Sequence, residues 1–312
     1  MATVVMDEVR EAVDTPRGER ILARQRATPV DESDIWDALD NVSILDEDPR
    51  LAAEPLVVRK ALAVRRLLLA MPVTIAPDEL IVGTFRARLL VQPKVPDFIT
   101  AEEKARYGID QDYGWYGHNT LDYAGLIAKG FSGVRAEAQA ALKRLSASGD
   151  PDQARQIAFY RSIIVSCDTM RDFGGRYVDL ADTLAGSERD PQRAAELRQI
   201  ARICRRVPEY PATSFYEALQ SYALSPVAIH SVYADGAMGR IDQCFYPLLK
   251  RDLENGVLTY AEAQELVDCF VLKINDCTRY GTSRNIRMGR FHNVVLAGQT
   301  RDGRDATNEV SY

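Results

Sequence analysis

The sequence predicts an α/β protein in which helix predominates. Three observations carry that expectation: apolar residues recur at helical spacing over long stretches, helix-start signals mark several of them, and the β-branched runs are few, short and far apart. No internal repeat, low-complexity tract or long Gly/Ser linker divides the chain. One continuous domain is therefore expected.

From the N-terminus, Glu54 to Met71 reads as a helix with Leu56, Leu62, Leu67, Leu68 and Leu69 turned inward. Pro77-Asp78-Glu79 marks a turn or helix start, and Leu80-Ile81-Val82, running to Thr84 past Gly83, reads as a short buried strand. The pattern from Asp150 onward is mostly helical. Between Gln192 and Arg206, Leu197, Ile200, Ala201 and Cys204 fall at i, i+3, i+4 and i+7, and Pro208 closes the segment. Ser214-Phe215-Tyr216-Glu217 and Thr259-Tyr260-Ala261-Glu262 both match the capping box, in which hydroxyl and carboxylate satisfy orphan amides reciprocally. The second box opens a helix with Leu266, Val267, Phe270, Val271 and Ile274 on one face, ending near Asn275. Further strands are expected at Met238 to Ile241 and Asn293 to Ala297.

At 312 residues, 46% hydrophobic and 27% charged, the composition is that of a soluble globular protein. The net charge of -6 and the interspersed Lys and Arg argue against nucleic acid or an anionic membrane as partner and for small molecules or proteins. No apolar run approaches the roughly 20 residues of a membrane helix and the N-terminus lacks a signal-like apolar core, so a cytoplasmic location is expected. Five cysteines without a CxxC pair suit a reducing compartment, and His118, His230 and His292 are too scattered for a metal site. Asp302, Gly303 and Asp305 lack the ligand spacing of a calcium loop and read as a turn.

Several blocks are more specific. "RRVPEYPATSFYEALQSYAL", "GRIDQCFYPLLKRDLENGVLTYAEAQELVDCFVLKIND" and "VVLAGQTRDGRDATNEVSY" resemble the pyruvate formate-lyase-like (PFL) domain of glycyl radical enzymes. "RRLLLAMPVTIAPDELIVG", "GHNTLDYAGLIAKGFSGV" and "FGGRYVDLADTLA" resemble the N-terminal region of that family, and all six stand in the family's order from about Arg20 to Tyr312, so the resemblance implies a PFL-like domain over 20–312 preceded by an N-terminal tail over 1–19. Two departures are small: Gly117-His118-Asn119 stands where Gly-His-Thr is common, and Leu296-Ala297-Gly298 where two glycines are usual.

The resemblance implies a ten-stranded α/β barrel of two antiparallel half-barrels with a thick helical surround and the reaction at its centre. It also implies a protein-borne glycyl radical in an Arg-Val-x-Gly-Tyr-like motif near the C-terminus, and a cysteine on a mid-chain loop that becomes a thiyl radical. Neither motif occurs in this sequence. The chain is therefore expected to be an N-terminal portion, truncated before the thiyl-cysteine loop and the C-terminal glycyl radical domain, and inactive alone. No metal or organic cofactor is expected on it; a radical-SAM activating enzyme, a small-molecule substrate and a second copy in a homodimer are the expected partners.

Among candidate substrate residues, Tyr160 and Asp168 lie two turns apart on one side of the helix in "QIAFYRSIIVSCDTMRDF", with Ile164 and Cys167. An acid in such apolar company needs a partner. Asp168 would accept a hydrogen bond from a substrate hydroxyl or pair with a substrate cation, and Tyr160 would supply an aromatic wall, a phenol donor or a face for a quaternary ammonium. The structural alternative is an ion pair with Arg161 or Arg171. The position looks like the one where choline lyase-type members of the family carry an aspartate, with a tyrosine two turns earlier, and dehydratase members a histidine. In the loop from Asn275 to Phe291, Ser283 is the candidate hydroxyl and Arg279 and Arg284 are candidate anion ligands, against the alternative of a solvated basic loop. His118 is either a substrate residue or a buried histidine capping a turn. Gly239-Arg240-Ile241-Asp242-Gln243 reads as a satisfied buried network tying a strand to a helix.

The activity implied is hydrogen abstraction by a thiyl radical from a small polar metabolite, followed by loss of water, an amine or sulfite, or by C-C cleavage. Asp168 favours a choline lyase-like or a diol- or hydroxyproline dehydratase-like enzyme. Formate C-acetyltransferase (pyruvate formate-lyase) and isethionate sulfite-lyase are alternatives, since their anionic substrates call for arginines such as Arg279 and Arg284. A non-catalytic helical scaffold or interaction protein is the alternative of another class.

Overall fold

A computed structural model describes residues 13–27, 42–83, 95–108, 119–145, 152–230, 236–278 and 294–312. Its first helix, α1 (Pro16–Ala27), begins under Thr15, whose hydroxyl accepts from the Gly18 amide at 3.2 Å and donates to the buried Asp268 at 2.6 Å. Ile21 and Leu22 enter the core, and Arg17 is buried between Glu196 and Glu265. The tail expected through residue 19 therefore ends earlier, because packed structure already includes Arg17 and Gly18.

Next come α2 (Ile44–Glu47), a 3-10 turn at Pro49–Ala53, α3 (Leu56–Ala70) and α4 (Ala101–Tyr107). Leu67 and Leu68 of α3 are buried as expected, but Leu56 is 38% exposed because it occupies the first position of the helix, beyond the packed face. Arg59 is buried whole, donating to the carbonyls of Glu54 and Phe98 at 2.9 and 2.8 Å and pairing with Glu103. Glu103 in turn completes a capping box with Thr100 at the start of α4.

The strand expected from Leu80 is absent among the described residues. Leu80 to Gly83 is buried and irregular, and side chains take the place of a neighbouring strand. The Gln220 carboxamide bonds both the amide and the carbonyl of Val82, at 2.9 and 2.8 Å, and the Tyr216 hydroxyl donates to the Leu80 carbonyl at 2.5 Å. The backbone accounting closes without a ladder.

Two strands of two residues each, β1 (Asn119–Thr120) and β2 (Gly236–Ala237), pair in parallel, Asn119 opposite Gly236 and Thr120 opposite Ala237. Around them stand α5 (Tyr123–Leu145), α6 (Gln153–Ser187), α7 (Pro191–Cys204), α8 (Phe215–His230), α9 (Ile241–Glu254) and α10 (Tyr260–Thr278). α5 is kinked at Gly130, whose φ of 63° is easy only for glycine. The amides freed by the kink, of Phe131 and Ser132, donate to the carbonyls of Pro208 and Glu209 at 3.0 and 2.7 Å, which seats the chain after α7 against α5.

α1, α8, α9 and α10 enclose one apolar cluster, in which the Tyr222 ring stacks on Tyr123 at 4.0 Å and meets Phe245 and Phe270 edge-on at 5.7 and 5.3 Å. α3, α6 and α7 enclose a second, built on Leu67, Phe173, Tyr177 and the expected face of Leu197, Ile200, Ala201 and Cys204. The cap at Thr259 is a complete box. At Ser214 only half of one forms: its hydroxyl accepts from Glu217 N at 3.1 Å, but the Glu217 carboxylate turns to Thr213 and Arg206, and buried Asp252 takes the Phe215 amide at 2.7 Å.

The expected strand at Met238 to Ile241 lies earlier, at β2, because Ile241 already opens α9. Of the expected strand at Asn293 to Ala297, the described part keeps one parallel bridge, Gly239 to Val294. The network foreseen around Asp242 is present. That carboxylate is fully buried and accepts from the amides of Gln243 and Ala297 at 2.8 and 2.6 Å and from Ser311 Oγ at 2.7 Å, while Arg240 donates to the Ala297 carbonyl at 2.6 Å. Beyond it, Gln299 to Asp305 is a turn through Gly303, and Asn308 caps a final 3-10 helix, Glu309–Ser311.

Candidate functional site

α6 is 35 residues long and has helices on several sides, so polar side chains along it meet partners from different elements. Asp172 Oδ2 accepts from Arg65 of α3 at 2.6 Å, and its Oδ1 accepts from Arg171 Nε at 2.8 Å. One turn back, Arg171 Nη1 donates to Asp168 Oδ1 at 2.9 Å, and Arg135 Nε, from α5, lies 3.0 Å from the same oxygen. Three helices are thus joined by alternating guanidinium and carboxylate groups.

Burial opposes charge on Asp172, but Arg65 and Arg171 outweigh it and hold that carboxyl below its ordinary range. Burial also pushes the neighbouring Cys167 thiol up to about 11, with Asp168 adding to the rise and Arg135 opposing it. Cys167 is therefore a neutral thiol at ordinary pH, a packing residue by its environment.

The distribution of contacts on Asp168 is uneven. Both arginines meet Oδ1, and no hydrogen bond among the described residues reaches Oδ2. Arg135 approaches through Nε, which is buried and in ion-pair contact but without a hydrogen bond, and its Nη1 and Nη2 likewise make none among the described residues. Both side chains are partly open to solvent, 26% for Asp168 and 39% for Arg135. Of the two ion-pair partners expected for Asp168, Arg171 is present; Arg161 instead pairs with Glu54 of the segment before α3.

Tyr160 lies on the same helix, half-buried and edge-on to the exposed Phe159 at 5.7 Å. Eight residues separate it from Asp168, roughly 12 Å of helix rise. The two flank a stretch of α6 without meeting. His118, Arg279, Ser283 and Arg284 lie outside the described residues.

Arg171 also borders a cleft of about 280 Å³ between α6 and the chain after α7, where Val178 and Asp179 face Arg205, Pro208 and Glu209. Its size suits a small metabolite. Sequence reasoning found Asp168 and Arg171 because they share a helix, but missed Arg135, which reaches Asp168 from a different helix. Among the described residues no cluster of three or more His, Cys, Asp or Glu is arranged to hold a metal ion, and no helix is long and apolar enough to cross a membrane.

Residues 100–312 match the family model described as Pyruvate formate lyase-like. The chain belongs to that family. Its relatives are glycyl radical enzymes, as the six sequence blocks implied. It is 32% identical to isethionate sulfite-lyase of Oleidesulfovibrio alaskensis over 199 residues, 61% of this chain and 24% of that protein. Against (2S)-3-sulfopropanediol dehydratase of Klebsiella oxytoca the identity is 34% over 206 residues, 64% of this chain and 25% of that protein. The fold is similar to that of a glycyl radical enzyme from Archaeoglobus fulgidus, with a TM-score of 0.76 and 25% identity over 95% of this chain and 45% of that one. The match spans about a quarter of the length of the curated relatives.

Proposed function

We propose that this chain forms part of a glycyl radical lyase or dehydratase that acts on a small hydroxylated metabolite. The observation that carries the reading is the Asp168 carboxylate, fixed through Oδ1 by Arg135 and Arg171 and with Oδ2 unbonded among the described residues. A pinned carboxylate with one open oxygen is preorganised to accept a hydrogen bond from a substrate hydroxyl without rearranging. Tyr160, Ser283, His118, Arg279 and Arg284 complete the proposed substrate wall.

A thiyl radical generated from the protein-borne glycyl radical supplies hydrogen-atom abstraction from a substrate carbon. What this chain contributes is binding and orientation: Asp168 fixes a hydroxyl, and the helices around α6 hold the carboxylate in place. The reading assigns the radical glycine and the thiyl cysteine to polypeptide outside these 312 residues, in keeping with the quarter of the relatives' length that the match spans. It also takes β1 and β2 as part of a ten-stranded barrel of two half-barrels, a homodimer as the working form and a radical-SAM enzyme as activator. Parallel pairing of β1 with β2 and the likeness to a solved glycyl radical enzyme support the first of these.

Loss of a neighbouring group from a hydroxylated substrate is favoured over acetyl transfer from pyruvate, which offers Asp168 no hydroxyl. Both curated relatives above are named for sulfonated alcohols, which favours a hydroxylated sulfonate as a second form of the same reading. The test is anaerobic activation of the full-length protein with its radical-SAM enzyme, followed by turnover of propane-1,2-diol and of hydroxylated sulfonates. A glycyl radical signal by electron paramagnetic resonance and turnover that falls roughly tenfold or more in Asp168→Asn are expected. Unchanged turnover in Asp168→Asn would remove the residue from the site, and no radical signal would favour the scaffold alternative.

A further inference from the structure

Asp168 and Arg135 present complementary groups side by side from different helices. The aspartate, on α6, has an oxygen, Oδ2, with no hydrogen bond among the described residues, and the arginine, on α5, has two terminal nitrogens in the same condition. Their contact through Oδ1 and Nε holds the two sets of free positions a few ångströms apart, facing partly open space. Arg65, Arg135 and Arg171 stand against Asp168, Asp172 and, beside Arg171, Glu209, so the wider cluster is balanced, while the guanidiniums in contact with Asp168 itself are those of Arg135 and Arg171. A cation approaching Asp168 also approaches two guanidiniums, whereas an anion is attracted by the same pair.

We infer that Arg135 is the specificity-determining partner of Asp168, and that the two together select a substrate carrying both a hydroxyl and an anionic group, donor to Oδ2 and acceptor from the Arg135 terminal nitrogens. The inference rests on the reading of Asp168 as a substrate residue and narrows it: a quaternary ammonium is disfavoured, and a hydroxylated sulfonate, carboxylate or phosphate is preferred over a neutral diol. Arg171 does not serve the same purpose, because all three of its nitrogens are engaged by Asp168 and Asp172. Arg65, whose buried Nη1 also has no hydrogen-bond partner among the described residues, bonds Asp172 and not Asp168, so Arg135 is the guanidinium in contact with Asp168 that keeps uncommitted terminal nitrogens.

Three probes on one two-carbon alcohol skeleton separate the possibilities: 2-hydroxyethanesulfonate, ethane-1,2-diol and choline, which share a hydroxyl and differ in the charge of the second group. Binding of each to the full-length protein is measured by calorimetry under anaerobic conditions, for the parent and for Arg135→Gln, Arg135→Lys and Asp168→Asn, with urea midpoints to confirm folding. The expected order is sulfonate, then diol, then choline. Arg135→Gln lowers sulfonate affinity about tenfold more than it lowers diol affinity, and Arg135→Lys, which keeps the charge, restores most of the difference. Choline binding best, or an equal loss for sulfonate and diol in Arg135→Gln, overturns the inference while Asp168 keeps its place. Asp168→Asn binding all three probes as the parent does would overturn the underlying reading and the inference with it.

Discussion

Replacing Lys273 by Met tests how the segment before Leu80 is held to α10. Lys273 of α10 and Glu79 of the turn before Leu80 form the most deeply buried ion pair among the described residues, with Nζ 2.7 Å from Oε1 and both residues at most 5% exposed. At an effective dielectric constant of about 20 the gross attraction is about 6 kcal/mol, most of which only offsets the cost of taking two ions out of water. Removing the ammonium alone strands the carboxylate, a change that typically costs about 3–5 kcal/mol. Glu79 keeps the Ala76 amide at 3.1 Å and Arg24 Nη2 at 3.5 Å, so the lower end, about 3 kcal/mol, is expected in urea unfolding. Lys273→Met combined with Glu79→Gln removes the stranded charge and should recover more than half of that loss. A single-variant loss under about 1 kcal/mol, or a double variant no better than the single one, would refute the reasoning, since either result means the carboxylate does not depend on the lysine.

Three further outcomes follow from local geometry. Asp242→Ala leaves part-buried donors from Gln243, Ala297 and Ser311 without their buried acceptor; a loss of about 2 kcal/mol and faster proteolysis within 294–312 are expected, the second readout separating local release from global instability. The hydrogen bond from Arg59 pulls the Glu103 carboxyl down to about 2 against the opposing effect of burial. Because this folded value lies below the ordinary one near 4.3, its stabilisation is present above that pH and is lost as pH falls towards 2; Glu103→Gln should flatten that part of the stability profile, by about 1 kcal/mol after solvent screening of a part-exposed carboxylate. Ala297 has a φ of 56°, which is costly for a residue with a Cβ, so Ala297→Gly should raise stability by about 0.5 kcal/mol in thermal unfolding; a decrease would mean that the Ala297 methyl packs more strongly than the strain it carries.

That last residue shows what was legible in the sequence. Leu296-Ala297-Gly298 was noticed as a departure from a pair of glycines, and the reason for the usual glycines is visible in the left-handed φ values of Ala297 and of Gly298, at 83°. The helices at Pro191–Cys204 and Tyr260–Thr278 were legible because their signals are local: apolar spacing over a few turns, a capping box at Thr259 and a proline just beyond Cys204. The Ser214 box was legible only in half, since Arg206 and Asp252, neither of them within its four residues, compete for the groups involved.

The strands were misplaced for the same reason. Leu80-Ile81-Val82 has the composition of a strand, but a strand is defined by its neighbour, and here the neighbour is the side chain of Gln220, 138 residues away. Asp168 was similar: the sequence pointed to an acid that needs a partner and to Arg171 one turn on, which helical spacing alone decides. That Arg135 would reach the same oxygen, leaving one carboxylate oxygen and two guanidinium nitrogens unbonded among the described residues, required α5 and α6 to pack side by side. By itself, then, the sequence determined the family, the helices and their caps, because those depend on residue order and on contacts within a turn or two. Tertiary structure alone decided where the strands fall and what surrounds Asp168, because hydrogen-bond partners and net charge at a point are set by groups far apart in the chain.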